Sequence, residues 1–391
     1  MTSARFDISI PQQALHTLRA LEAAGHEAWF VGPCVRDLLL ARDVESFDIA
    51  TSARAAEILA TLDAAGYAAI GHDETPTCIS VQVGDTPINI TPYRPEGAHA
   101  DRGRADAEPL CSINTDLSWR GFTIDALALH PDRGILDNCN GLDDLEHATL
   151  RSNGDASERF SENALHIARG CRLASQLGLF IEPHTFQAMT SHKMRLAALP
   201  ASRIVPELDA LLLGEHAHDA LMQCIDVIVA VIPELAACKG FEQRTPYHIY
   251  DVWEHTAWVV QRSPATSLAR WTALFHDIGK PAACFMEGER AHFFGHARLS
   301  VIMARDIMRR LDMPEGFMQN VLELVLIHDK TIPADEESVR LELARLGGDI
   351  ELLRTLCGIK RADSLAQSDL ALPRLQLAES LQVVVDSIAK A

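Results

Sequence analysis

Residues 31–53, VGPCVRDLLLARDVESFDIATSA, change periodicity twice within a short span. Ala28 to Val31 is a short apolar run of strand character, Gly32-Pro33 interrupts it, and Val35 to Ala41 reads as the start of a helix. Phe47 to Thr51 returns to a strand. Working outward, Gln12 to Ala24 and Ala53 to Ala65 read as helices, and Cys78 to Val83, Ile88 to Tyr93 and Thr123 to Leu129 as strands. The segment Pro95 to Pro109 is rich in Gly, Asp and Arg without periodicity and reads as a loop. From Gly141 onward strand signals stop, and helical periodicity with capping residues such as Ser157 and Ser161 predicts helices to the end. KGFEQRTP (239–246) breaks that pattern and marks a boundary at 225–245.

At 391 residues with 48% hydrophobic side chains, the chain is long enough for two to four buried cores. No apolar run reaches the length of a membrane span, and Met1 to Pro11 lacks the basic and apolar regions of a secretion signal, so a cytoplasmic protein without membrane partners is expected. Nine cysteines without a C-x-x-C pair fit reduced, mostly buried thiols. The formal charge of −19 disfavours tight binding of a phosphate backbone unless positive charge is concentrated locally. The first lysine is Lys193, leaving arginines such as Arg102, Arg104 and Arg120 to meet RNA in the N-terminal part. Oligomeric state is not legible.

His255 in DVWEHT, His276-Asp277 in LFHDIGKP, His296 in FFGHA, His328 in LVLIHD and Asp363 in KRADSLAQ supply imidazoles and carboxylates, the ligand types of a divalent ion that activates water. Neighbouring side chains on a helix diverge by about 100°, so His276 and Asp277 meet one ion only if other helices bring further ligands. Lys280, one turn beyond Asp277, is placed to meet a phosphate oxygen. In this order the residues resemble the H…HD…D signature of HD-domain phosphohydrolases, and TPYHIYDVWEHT through HDIGKPAACF is similar to the HD domain attached to bacterial CCA-adding enzymes. The resemblance implies hydrolysis of a phosphoester with Asp277 and Lys280 in the catalytic centre. Its ion would be Mn, Mg, Ni, Co or Fe, with His296 and His328 extending the site to two metals.

The N-terminal stretch VGPCVRDLLLARDVESFDIATSA, SWRGFTIDALAL and ERFSENALHIARGCRLASQLG together resemble class II CCA-adding enzymes and bacterial poly(A) polymerases, the tRNA nucleotidyltransferase family. That implies an α+β fold: a nucleotidyltransferase-like head with a mixed sheet (1–140), an all-helical neck and body with RNA-binding character (141–225), and a helical HD domain with a tail (226–391). It also implies nucleotide contacts from Gly32, Arg36, Asp37, Arg120, Glu162, Asn163, His166, Arg169 and Arg172, and Mg²⁺ at Asp48. The head departs from the family where chemistry is concentrated. The Asp-x-Asp motif reads Ser46-Phe47-Asp48, the third carboxylate position is Asn89, and the second glycine of the phosphate loop is Pro33, which has no N–H to offer. Trp119-Arg120-Gly121 replaces the family's RRD, and Asp125 its asparagine. Where relatives place the base-reading Asp and Arg stand Asn163 and His166, and a histidine lacks an arginine's fork of donors.

Three readings follow. The first is a family member with impaired nucleotidyl transfer and an HD domain that hydrolyses phosphoesters, either small nucleotides or the tRNA 3′ end. The second is an active tRNA 3′-end nucleotidyltransferase with an altered metal site that depends on Asp48. The third is a non-catalytic RNA- or nucleotide-binding regulator.

Overall fold

The computed structural model describes residues 9–70, 78–84, 86–93 and 112–390, so Arg102, Arg104, Cys111 and the loop expected at 95–109 lie outside the described residues. The chain separates into two compact units, Met1–Arg159 and Phe160–Ala391.

The first unit contains helices α1 (Gln12–Ala23), α2 (Pro33–Leu39), α3 (Ala55–Ala64), α4 (Ile113–Ser118) and α5 (Gly141–Glu146). Its strands are β1 (Ala28–Val31), β2 (Phe47–Thr51), β3 (Ala69–Ile70), β4 (Ile79–Val83), β5 (Thr86–Pro92), β6 (Leu127–His130), β7 (Gly134–Asp137) and the two-residue β8 (Thr149–Leu150). Seven of these form one sheet in the order β3-β4-β5-β2-β1-β6-β7. β2 and β5 run parallel and the other neighbours antiparallel, which is the expected mixed sheet. β1 is buried along its whole length between β2 and β6, which explains why AWFV is a continuous apolar run instead of an alternation. On β2, Phe47 and Ile49 enter the main core, and Asp48 with Ala50 points to the other face.

α2 starts where the sequence break lies. Gly32 takes a positive φ of 75° and Pro33 stands in the first turn, where a missing N–H costs nothing. A Cβ at Gly32 would lie 2.7 Å from Arg120 Nη1, the movable end of a flexible side chain, so the left-handed φ more than the space calls for glycine here.

The second unit is helical: α6 (Ala156–Glu162) crosses into it, followed by α7 (Leu165–Leu177), α8 (Pro183–Ala197), α9 (Ala201–Leu213) and α10 (Ala217–Val231). After α10 come α11 (Val252–Arg262), α12 (Ser267–Phe275), α13 (Lys280–Ala283), α14 (His296–Arg310), α15 (Glu315–Ile327), α16 (Glu336–Arg345), α17 (Ile350–Leu365) and α18 (Leu372–Lys390).

Some sequence expectations need correction. Strands do not stop at Gly141: besides β8 there are β9 (Phe180–Ile181) and a hairpin, β10 (Phe285–Glu287) with β11 (Arg290–His292). The strand expected from Thr123 begins only at Leu127, because Thr123–Asp125 is a 3-10 turn whose Thr123 hydroxyl donates to Asp144 Oδ2 at 2.6 Å. Ser157 and Ser161 lie inside α6 and do not cap it; Asp155 Oδ1 accepts from Glu158 N at 2.9 Å instead. Glu162, expected by resemblance to contact a nucleotide, is the last residue of α6. Among the described residues, no helix is long and apolar enough to cross a membrane.

Candidate functional site

In the first unit, Asp48 and Asn89 face each other across the parallel β2–β5 pair. Asn89 Nδ2 donates to Asp48 Oδ1 at 2.9 Å, and Asn89 Oδ1 accepts from Ser80 Oγ at 2.8 Å. Both ends of the amide are therefore committed, and the residue at the third carboxylate position ties Asp48 down as a neutral partner. Burial pushes Asp48 above the ordinary carboxylate value, with the Asn89 hydrogen bond and the Arg120 charge only partly opposing it. Glu45 is exposed, just before the strand. Arg36 is buried and spends its guanidinium on Asp37 (2.9 and 3.1 Å) and Asp125 (2.6 Å). Arg120 pairs with Asp116 at 3.3 Å.

In the second unit, Asn163 Oδ1 accepts from Leu165 N at 3.2 Å at the start of α7, and its amide lies 3.4 Å from His166 Nε2. Arg169 and Arg172 both donate through Nε to Glu207 on α9, at 3.1 and 2.7 Å. Sequence reading missed Glu207. Its carboxylate joins α7 to α9 and occupies the arginines expected to face a nucleotide.

The six HD residues come together. His255 lies within α11, His276 and Asp277 follow the end of α12, His296 opens α14, His328 closes α15 and Asp363 lies in the last turns of α17. Asp277 is central and buried. Its Oδ2 lies 3.1 Å from His276 Nε2 and 3.4 Å from His255 Nε2, and its Oδ1 lies 3.3 Å from His296 Nε2 and 3.7 Å from His328 Nε2. Asp363 Oδ1 is 3.1 Å from His255 Nε2.

The imidazole tautomers follow from the far side of each ring. Nδ1 of His255, His276, His296 and His328 meets the carbonyl of Ala366 (3.2 Å), Ala273 (2.6 Å), Phe293 (2.9 Å) and Val325 (2.7 Å), respectively. A carbonyl only accepts, so each Nδ1 carries a proton and, in the neutral ring, each Nε2 turns a lone pair toward Asp277. Two Nε2 pairs then stand close together, His255 with His276 at 3.4 Å and His296 with His328 at 3.3 Å. Facing lone pairs repel unless a cation lies between them. Asp277 Oδ1 is buried without a hydrogen bond of good geometry. This donor set fits divalent ions in two groups, His255–His276–Asp277 and Asp277–His296–His328, which share the aspartate.

Both carboxylates of the cluster favour the ionised, ligating form. Burial disfavours charge on Asp277, yet His276 and Lys280 hold its carboxyl well below the usual range. Burial likewise opposes charge on Asp363, and His255 outweighs it. Burial resists protonation of His296 but Asp277 lifts its pKa, whereas burial lowers that of His328.

Lys280 is placed differently from the sequence expectation. Its ammonium meets Asp277 Oδ2 (2.6 Å), Gln243 Oε1 (2.8 Å) and His248 Nε2 (3.2 Å), which takes up all three N–H donors inside the protein. It orients Asp277 instead of reaching for a phosphate. Gln243 and His248 were not singled out by sequence reading, although His248 lies inside TPYHIYDVWEHT; burial and the Lys280 charge push its pKa down to about 3.

The cluster opens into a cavity of about 650 Å³ whose wall includes Lys280, His292, Phe294, Arg290, Arg298 and Arg374. These three arginines are exposed and form no ion pair among the described residues, so local positive charge gathers at this mouth despite the acidic chain.

Comparison with known proteins places these features in context. Residues 28–151 match the poly A polymerase head domain, 178–238 the probable RNA and SrmB-binding site of polymerase A, and 246–367 the HD domain. The CCA-adding enzyme of Oceanobacillus iheyensis is 37% identical over 54% of this chain and 52% of its own length. That of Pediococcus pentosaceus is 34% identical over 65% of each chain. The chain thus spans between about half and two thirds of the length of these curated relatives. Among solved structures, the Bacillus stearothermophilus CCA-adding enzyme in complex with CTP superimposes with a TM-score of 0.70 at 22% identity, over 96% of this chain and 82% of that one. The Thermotoga maritima CCA-adding enzyme complexed with tRNA gives 0.63 at 16% identity, over 97% and 84%. At such identities the superpositions establish the fold: a nucleotidyltransferase-type head followed by helical segments. In chain order, the protein thus carries a poly A polymerase head domain, a segment matching the probable RNA and SrmB-binding site of polymerase A and, behind them, an HD domain.

Proposed function

We propose that residues 246–367 hydrolyse phosphoesters with two divalent ions held by His255, His276, Asp277, His296, His328 and Asp363, and that the head no longer transfers nucleotides. The observation that carries the first part is the two close pairs of Nε2 atoms on either side of Asp277, each ring held through Nδ1 by a backbone carbonyl. Bound there, the ions supply Lewis acidity, lowering the pKa of water and neutralising phosphate charge. Imidazole donors favour Mn²⁺, Fe²⁺, Co²⁺ or Ni²⁺ over Mg²⁺. The protein fixes ring orientation through the Nδ1–carbonyl bonds and holds Asp277 between the two groups through Lys280. Arg290, Arg298 and Arg374 draw the phosphate into the cavity.

The test is release of p-nitrophenol from mono- and bis(p-nitrophenyl) phosphate after chelation and after addition of each ion, for wild type and Asp277→Asn. Turnover should need the ion and fall at least about 100-fold in the variant, as when support for a metal is lost. Turnover that survives both chelator and substitution would sink the proposal.

The names of the curated relatives favour a second reading, nucleotidyl transfer at Asp48 onto a tRNA 3′ end. Against it stand Asn89 in place of a carboxylate and the internal pairing of Arg36. Labelled CMP or AMP entering tRNA that lacks its terminal CCA, with Mg²⁺ or Mn²⁺ and in an Asp48-dependent manner, would overturn the claim of a silent head.

A further inference from the structure

The hairpin β10–β11 interrupts an otherwise helical domain just before the segment that carries His296. It turns through Gly288, at a φ of 61°, and Glu289, then delivers His292, Phe293 and Phe294 ahead of Gly295. The two phenylalanines diverge. Phe293 turns inward, packing edge-on against Phe241 with the Lys280 ammonium 5.6 Å from its ring centre. Phe294 turns outward and at 81% is the most exposed large apolar side chain among the described residues. It does not hang loose: its ring stacks on His292, with centres 5.4 Å apart and planes within 9°.

Both rings line the same cavity as Asp277 and His296. Phe294 is only two residues from His296, a backbone span of at most about 7 Å. The cavity thus presents a phosphate-binding end, with Arg298 and Arg374, and an aromatic face close beside it.

We infer that Phe294, backed by His292, is a specificity-determining platform on which an aromatic ring of the substrate stacks while its phosphate lies at the Asp277 cluster. The inference rests on the phosphoester reading of this site and narrows it to phosphoesters bearing a planar ring, with aliphatic phosphates as poor ligands. An exposed ring face stacks with any planar group, an interaction that a chain without a π-face does not make.

The test uses ligands that cannot be hydrolysed. Calorimetric titration of the full chain with phenylphosphonate and methylphosphonate, in the presence of Mn²⁺, separates ring recognition from phosphate recognition. Phenylphosphonate should bind wild type roughly ten-fold more tightly. Phe294→Ala should abolish that preference while leaving methylphosphonate unchanged, and Phe294→Trp should retain it. Equal affinities in wild type, no binding of phenylphosphonate, or a preference that persists in Phe294→Ala each overturns the inference. Turnover of phenyl phosphate by wild type and Asp277→Asn judges the hydrolytic reading separately: a ring preference without turnover leaves the platform standing and removes the hydrolase.

Discussion

Single side chains at the HD cluster carry consequences that can be measured apart from catalysis. Gln243 is buried and accepts from Lys280, so Gln243→Leu strands one N–H of a buried ammonium. Urea denaturation should show a loss of about 1–3 kcal/mol, the cost of an unsatisfied buried donor. Neutral stability in that variant would mean that water reaches Lys280. Glu342 offers a pH test. Burial alone would raise its pKa, but Lys330 and Arg345, the latter at 2.7 Å, hold it below its ordinary value of 4.5. A carboxylate depressed in the folded state contributes stability above its unfolded pKa, and that contribution is lost as pH falls toward the folded value. Thermal melts at pH 7 and pH 3 should therefore show a smaller acid-induced drop for Glu342→Gln than for wild type; equal drops would refute the assignment. At this scale the ligands were legible because His and Asp in the H…HD…D order form a recognisable pattern. Gln243, His248 and Glu207 were not, since each acts through a partner 32 to 38 residues distant with no repeating spacing to betray it.

At the scale of elements, Gly279 sets how closely α14 approaches the end of α12. A Cβ there would lie 2.6 Å from both His296 O and Ser300 N, and the Gly279 N–H donates to Ser300 Oγ at 2.9 Å. Backbone cannot yield as a flexible side chain can, so Gly279→Ala should push α14 away and carry His296 with it. Mn²⁺ titration should then lose the phase belonging to Asp277–His296–His328 and keep the one belonging to His255–His276–Asp277; an unchanged isotherm would show that α14 moves without cost. In the head, β1, β2, β4 and β5 were legible as apolar runs set off by loop residues, whereas β3 and β7, only two and four residues long, were not. The hairpin β10–β11 escaped notice because each arm has only three residues inside a helical context. Its Gly288-Glu289 turn was the available signal. Misplaced caps have a similar cause: Asp155 competes with the nearby serines for the same helix start, and only geometry shows which one accepts.

For the whole molecule, ion binding joins residues 255 to 363 and so should stabilise the second unit as a body. At a free ion concentration of about 100 times Kd, each site adds roughly 2.7 kcal/mol, or about 5–10 °C in Tm for a unit of this size. Scanning calorimetry should show that rise with Mn²⁺, its reversal by chelator and its absence in Asp277→Asn; no shift would mean the groups do not bind ions in the folded chain. The way the rings are held divides the risk unevenly. His276, His296 and His328 each lean on a carbonyl three residues earlier, a grip belonging to one turn of backbone that survives whatever side chain occupies 273, 293 or 325. His255 instead leans on Ala366, 111 residues away, and faces Asp363 on the same C-terminal stretch. Three imidazoles are thus self-tutored, and the fourth is hostage to the tail of the chain. Any loosening of α17 and α18, by heat, truncation or proteolysis, will be felt first at His255.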